Sequence, residues 1–175
     1  MGGLRSVALG VSAIVLLSAS AIGASDGVRE PAGGGRVGSA RQSTAPQSTE
    51  RQSFRRVATI ANYLNNADRA GETVSEIIAS NRSGNTLVYT DSLLEEVGFL
   101  DITQPHAPVS LGKLAVGGEP TSVTVLGERL ALVAVNGSPS FAAPSGHLAV
   151  VDLTTQRVLR ELPLGGQPDS IALSP

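Results

Sequence analysis

The side chains of this chain that could do chemistry are oxygen donors placed between apolar runs. Asp91, Glu119 and Asp169 each border a stretch of β-forming residues, and Asn136 and His147 flank a longer polar interval. Carboxylate oxygens suit Ca²⁺ or another hard cation better than a soft metal. The sequence therefore predicts Asp91, Glu119 and Asp169 as candidate metal ligands, with Asn136 and His147 as further groups able to face a ligand.

No catalytic residue can be assigned from the sequence. The absence of cysteine excludes a thiolate metal site and a cysteine nucleophile. Ser138-Pro139-Ser140 and Ser145-Gly146-His147 do not match the nucleophile elbow of hydrolases. Asp101 and Asp152 stand near predicted strand ends, where an aspartate most often caps a turn, so a structural role is favoured for both. Glu95-Glu96 is favoured as a solvated loop pair.

A repeat organises the elements that must position these side chains. Gly117-Gly118-Glu119-Pro120-Thr121-Ser122-Val123 returns 48 residues later as Gly165-Gly166-Gln167-Pro168-Asp169-Ser170-Ile171. Asp101 and Asp152 form a second matched pair upstream of the two copies. Gly/Pro turns between short β-branched runs at this period are typical of β-propeller blades. The fold class predicted is therefore all-β.

The pattern predicts two four-stranded blades and the first strand of a third. The predicted strands are 76–79, 86–90, 97–102, 109–115, 122–125, 130–135, 148–153, 157–162 and 170–173. Two blades and one strand cannot close a ring, so we expect an incomplete propeller, an N-terminal fragment whose remaining blades lie elsewhere. A self-contained small β-domain is the alternative. Propeller geometry would place four loops on one rim: 91–96, 117–120, 136–146 and 165–168.

The N-terminal third has the features of an exported protein. Residues 1–24 combine a short positive start, an apolar core and small residues, which predicts a cleaved signal peptide, with an uncleaved membrane anchor as the alternative. Residues 25–53 predict a disordered spacer rich in Gly, Ser and Gln. Residues 54–175 would hold the blades, beginning with a lead-in strand over 54–63 or, alternatively, a helix over 55–67. The predicted location is extracytoplasmic, periplasmic or secreted, without a membrane segment after cleavage.

Several segments of the repeat region resemble a known bacterial family. They include Gly84-Asn85-Thr86-Leu87-Val88-Tyr89-Thr90-Asp91, Gly98-Phe99-Leu100-Asp101-Ile102 and both copies of the Gly-Gly-x-Pro motif. With Glu72-Thr73-Val74-Ser75-Glu76-Ile77-Ile78-Ala79, they are similar to the exported phytase-like proteins known as "esterase-like activity of phytase" proteins. The resemblance implies hydrolysis of phosphate or carboxylate esters, with Ca²⁺ on the upper face of the propeller. It transfers no catalytic residue to this sequence.

Two functions follow as hypotheses. The first is an exported phytase-like propeller with esterase or phosphoesterase activity on a small-molecule ester. The second is a non-catalytic propeller that binds a protein, a glycan or an envelope component through its rim loops. The formal net charge of −2, without a basic stripe, argues against nucleic-acid binding.

Overall fold

A computed structural model of the 175-residue chain describes residues 13–20 and 53–174. These residues form an all-β structure with one short 3-10 helix. Most of the predicted signal peptide and nearly all of the predicted spacer lie outside the described residues, so both stay predictions. Within the described ranges, no helix is long and apolar enough to cross a membrane.

The first described element is a two-stranded ribbon. Strand β1 (Ala13–Ser20) pairs antiparallel with β2 (Ser53–Ala61), and the 3-10 helix Asn62–Asn65 follows directly. The lead-in strand is thus confirmed, and the alternative helix over 55–67 is wrong apart from that single 3-10 turn. β1 lies inside the predicted signal peptide, whose cleavage stays a prediction.

The repeat region forms two four-stranded antiparallel sheets in which each strand pairs with its neighbour along the chain. The first sheet contains β3 (Ile78–Ser80), β4 (Thr86–Asp91), β5 (Glu96–Asp101) and β6 (Val109–Ala115). The second contains β7 (Glu119–Leu126), β8 (Leu130–Asn136), β9 (Gly146–Asp152) and β10 (Arg157–Leu164). All eight predicted blade strands form, although β3 is shorter than predicted and β7 begins earlier.

The core lies between the two sheets. Side chains alternate along each strand, so one face of β4 and β5 contributes Val88 and Phe99, and one face of β8 and β9 contributes Val133 and Val151. These side chains are fully buried, together with Val123 at 5 % exposure from the first strand of the second sheet. Burying side chains of this size contributes roughly 1.5–3 kcal/mol each. This apolar layer fixes how one sheet packs on the other.

The opposite face of the first sheet is covered by the segment that follows β2. Asn65 donates hydrogen bonds to the Tyr89 hydroxyl and the Gly112 carbonyl, each at 2.9 Å, and accepts one from the Gly112 amide at 2.9 Å. The Tyr89 ring lies over Gly98, where any Cβ would collide with it. Burial raises the pKa of Tyr89 to about 12. The 3-10 helix therefore caps this face through a polar side chain inserted beside the β5–β6 irregularity.

The predicted first strand of a third blade is not formed. Residues 170–174 have no strand assignment, and Leu173 is 44 % exposed. The physical reason is that a strand needs a hydrogen-bonded neighbour, and the described chain supplies none at this position. The two sheets do not close into a ring either. The residues just before this segment contact the second sheet, because the Thr121 hydroxyl donates to the Pro168 carbonyl at 2.9 Å.

Candidate functional site

Asp91, the first predicted metal ligand, is wholly engaged inside the protein. Its buried carboxylate forms an ion pair with Lys113 and accepts hydrogen bonds from the Thr73 hydroxyl and, at 3.0 Å, from the Val74 amide. Burial raises the pKa of Asp91, but the hydrogen bonds from Lys113 and Thr73 outweigh burial and leave that pKa below its usual value. Asp91 thus joins the segment before β3 to strand β6.

Asp152 shows the same local turn as Asp91. Its Oδ1 accepts from the amides of Thr154 at 2.8 Å and Thr155 at 3.1 Å, and Oδ2 accepts from two guanidinium nitrogens of Arg129 at 2.8 and 2.6 Å. The hydrogen bond from Arg129 is the main reason that the pKa of Asp152 falls to about 2. The predicted turn-capping role of Asp152 is confirmed.

Asp101 is also a turn cap, as predicted, because it accepts from the Thr103 amide at 2.8 Å. Asp91 caps its own turn through the Leu94 amide at 3.4 Å. The turns after Asp91 and Asp152 both end in a residue with left-handed backbone conformation. These residues are Glu95, with φ 57°, and Gln156, with φ 51°. Comparing these two sequence positions would have indicated a structural role for Asp91 before the fold was known.

Glu119 and Asn136 are brought together, whereas Asp169 stands apart. The two residues face each other across β7 and β8, and the Asn136 amide donates to the Glu119 carboxylate at 3.0 Å. Asp169 is exposed in the segment after β10. Within residues 13–20 and 53–174, no group of three or more His, Cys, Asp or Glu side chains could hold a metal ion. The described residues therefore do not fit the Ca²⁺ site that the resemblance implies, and that site stays a prediction.

His147, in β9, contacts the segment that joins the first sheet to the second. Its Nε2 lies 2.9 Å from the carbonyl oxygen of Val116, in the segment between β6 and β7. The ring also lies against Gly117, whose φ of 80° is a backbone conformation that favours glycine. A donated hydrogen bond to a carbonyl and partial burial give this histidine a positioning role at the sheet junction.

The loop between β8 and β9 is fixed at its base by serine hydroxyls. The Ser145 amide donates to the Ser138 hydroxyl at 2.9 Å, and that hydroxyl donates to the Ser145 carbonyl at 3.0 Å. The Ser145 hydroxyl donates to the Gly137 carbonyl at 2.8 Å, and the Ser138 amide donates to Asn136 at 3.0 Å. The tip beyond this base holds Phe141, which is 100 % exposed.

A surface pocket of about 180 Å³ opens beside this tip, and we call it the loop pocket. It is lined by Asn136, Ser138, Ser140, Phe141 and Gln167. Gln167 comes from the second copy of the Gly-Gly-x-Pro motif, so the pocket is built from two separate stretches of the chain. The sequence-based prediction placed the loops 136–146 and 165–168 on one rim and named Asn136, but it named neither Phe141 nor Gln167. The sequence did contain a signal for Phe141, because a phenylalanine between two prolines in a predicted loop is unusual in a chain with only three phenylalanines.

Comparisons with known proteins do not assign this chain to a family or a function. No protein-family model matches the chain, and no curated protein matches it. Among solved structures, hydrazine synthase of Kuenenia stuttgartiensis matches at 13 % identity with a TM-score of 0.38. The match covers 65 % of this chain and 43 % of the other, so this chain spans less than half of that protein chain. A likeness at this level supports no conclusion about fold or function.

Proposed function

We propose that this chain contributes two neighbouring blades to an exported β-propeller and binds a ligand through the loop between β8 and β9. The main support for this proposal is the loop pocket. There the fully exposed Phe141 lies at the tip of a loop whose base is held by hydrogen bonds between Ser138 and Ser145. The carboxylate predicted as the first metal ligand, Asp91, is instead occupied by Lys113 and Thr73. Binding without turnover accounts for these observations better than hydrolysis does.

The contacts between successive repeats support the propeller. The Thr121 hydroxyl donates to Pro168, and the Asn81 amide donates to Glu128 at 3.1 Å, so bonds between repeats occur at two separate places. The sequential antiparallel order of each sheet is also what blades have. Loops at the end of a rigid β-scaffold are the usual place for binding residues.

The exposure of Phe141 supports binding. A fully exposed aromatic side chain gains nothing from folding, but buries a large apolar area when a partner covers it. Aromatic residues are enriched in interface cores for the same reason. The base formed by Ser138 and Ser145 holds the loop in shape before a ligand arrives, which lowers the ordering cost of binding.

Ester hydrolysis is the second proposal, and the exposed carboxylates of Glu119 and Asp169 favour it. Since these two carboxylates do not form a metal-binding group within residues 13–20 and 53–174, a Ca²⁺ ion at either one would need further ligands from outside the described residues. A full-length preparation that turns over a phosphate ester, and loses turnover in Glu119→Gln, would move hydrolysis ahead of binding without turnover.

Binding is tested by co-sedimentation of the full-length protein with isolated bacterial cell envelopes. Phe141→Ala should lower the bound fraction several-fold without changing thermal unfolding, because the side chain is fully exposed and contributes nothing to the core. Phe54→Ala is the matched control, since Phe54 is 68 % exposed in β2. Equal retention of wild type and Phe141→Ala would contradict the proposal.

A further inference from the structure

We infer that the loop pocket takes one ring of a neutral saccharide, with Phe141 stacking on the ring face and Gln167 binding its hydroxyls. This inference rests on the proposed binding function and names its ligand class. Three features of the pocket carry it: the free polar groups, the absence of charge in its lining, and its size.

Some polar side chains of the pocket are held by hydrogen bonds within the protein, and others are available to a ligand. The Asn136 side chain is held at both of its polar atoms. Its Nδ2 donates to the Glu119 carboxylate at 3.0 Å, and its Oδ1 accepts from the Ser138 amide at 3.0 Å. One amide hydrogen of Asn136 is left over for a ligand. The side chains of Ser140 and Gln167 make no hydrogen bond to any part of the chain that the structure describes. The pocket therefore offers donors and acceptors together, which is what a hydroxyl group requires.

The lining of the pocket carries no charged side chain. An anion would find no cationic partner there, and the carboxylate of Glu119 behind Asn136 would repel it. An entirely apolar ligand would cover Gln167 and Ser140 without satisfying them, and an unpaired buried polar group opposes binding. A ligand with an apolar face and several hydroxyls avoids both problems. Sugar rings have this combination, and Phe141 supplies the flat apolar surface.

The size of the pocket selects a small unit. Pockets for drug-sized ligands have roughly 300–1,000 Å³, whereas the loop pocket has about 180 Å³. One sugar ring suits this space better than an extended chain. We therefore expect recognition of a terminal or branching residue of a larger glycan, with the rest of the glycan in solvent.

The test uses the full-length protein and four trisaccharide probes: maltotriose, mannotriose, tri-N-acetylchitotriose and the anionic trigalacturonate. Binding is measured by isothermal titration calorimetry and by saturation-transfer NMR. We expect at least one neutral probe to bind and the anionic probe not to bind. Phe141→Ala should weaken that binding about tenfold, and Gln167→Ala roughly threefold to tenfold. Phe54→Ala and Gln104→Ala, both at exposed positions, should bind like the wild type.

The outcomes separate this inference from the binding function itself. Failure of every neutral probe, or equal affinity of wild type and Phe141→Ala for the probe that binds, overturns the saccharide assignment. If envelope co-sedimentation still depends on Phe141 in that case, the binding function stands with another ligand class. If neither envelope binding nor probe binding depends on Phe141, both fail. Tighter binding of trigalacturonate than of the neutral probes also overturns the inference.

Discussion

Replacement of Asp91 by alanine tests whether this carboxylate is structural. The substitution removes the partner of Lys113, whose side chain is only 4 % exposed, and leaves the Thr73 hydroxyl and the Val74 amide without their acceptor. Breaking a buried ion pair by removing one partner costs about 3–5 kcal/mol. We therefore expect a large loss in the free energy of unfolding.

Two neighbours of Lys113 place the loss near the lower limit of that range. The ammonium lies 4.0 Å from Glu96 and 5.9 Å from the centre of the Tyr89 ring, so it keeps some favourable electrostatic contact when Asp91 is gone. We expect about 3 kcal/mol for Asp91→Ala. Since single domains are stable by only about 5–15 kcal/mol, this loss is large enough to measure without ambiguity.

The assay is equilibrium urea unfolding of a double-mutant cycle. Lys113→Met removes the buried charge, so Asp91→Ala should cost much less in that background than in the wild type. Asp101→Ala is the matched control, because it removes only an exposed turn cap and should cost far less than Asp91→Ala. A loss below 1 kcal/mol for Asp91→Ala, or an equal loss in both backgrounds, would refute the structural assignment. A loss seen only with Ca²⁺ present would instead favour the metal-ligand hypothesis.

Two further predictions concern stability. Gly98→Ala should destabilise the chain by at least about 2 kcal/mol in urea unfolding, because the new methyl group displaces the Tyr89 ring. Gly165→Ala, where a Cβ meets nothing, should cost far less, and equal costs would contradict this packing. The pKa of Asp152 is about 2 in the folded protein, against about 3.9 in an unfolded chain. Its stabilising pair with Arg129 should therefore be fully present above pH 4 and lost as the pH falls towards 2. Asp152→Asn should flatten the pH dependence of the melting temperature in that window, and an unchanged profile would contradict the assignment.

The strands could be predicted because their signals are local. Alternation of apolar residues, Gly/Pro turns and the repeat of the Gly-Gly-x-Pro motif mark each strand within a short window of sequence. β6, predicted over 109–115, forms over Val109–Ala115, and β8 extends one residue beyond its prediction. The strand predicted over 170–173 failed for a reason that no local signal contains, since a strand requires a neighbour.

The roles of individual polar side chains were decided by the tertiary structure. Asp91 stands in a predicted rim loop, but the partners that bury it come from 18 residues earlier and 22 residues later. Asn65 lies just beyond the predicted lead-in strand, yet it satisfies the Gly112 backbone 47 residues away. These contacts depend on which strands pack together, so spacing along the chain does not reveal them.

The sequence alone therefore determined an all-β chain, its repeat and nearly every strand. Only the tertiary structure separated the carboxylates used inside the protein from the groups left free on its surface. Sequence-based reasoning put the loops that hold Phe141 and Gln167 on one rim, and the tertiary structure placed these two side chains, 26 residues apart, in one pocket. The physical reason is that strand formation follows from short-range patterns of burial, whereas a binding site depends on which distant side chains the packing brings within contact of one another.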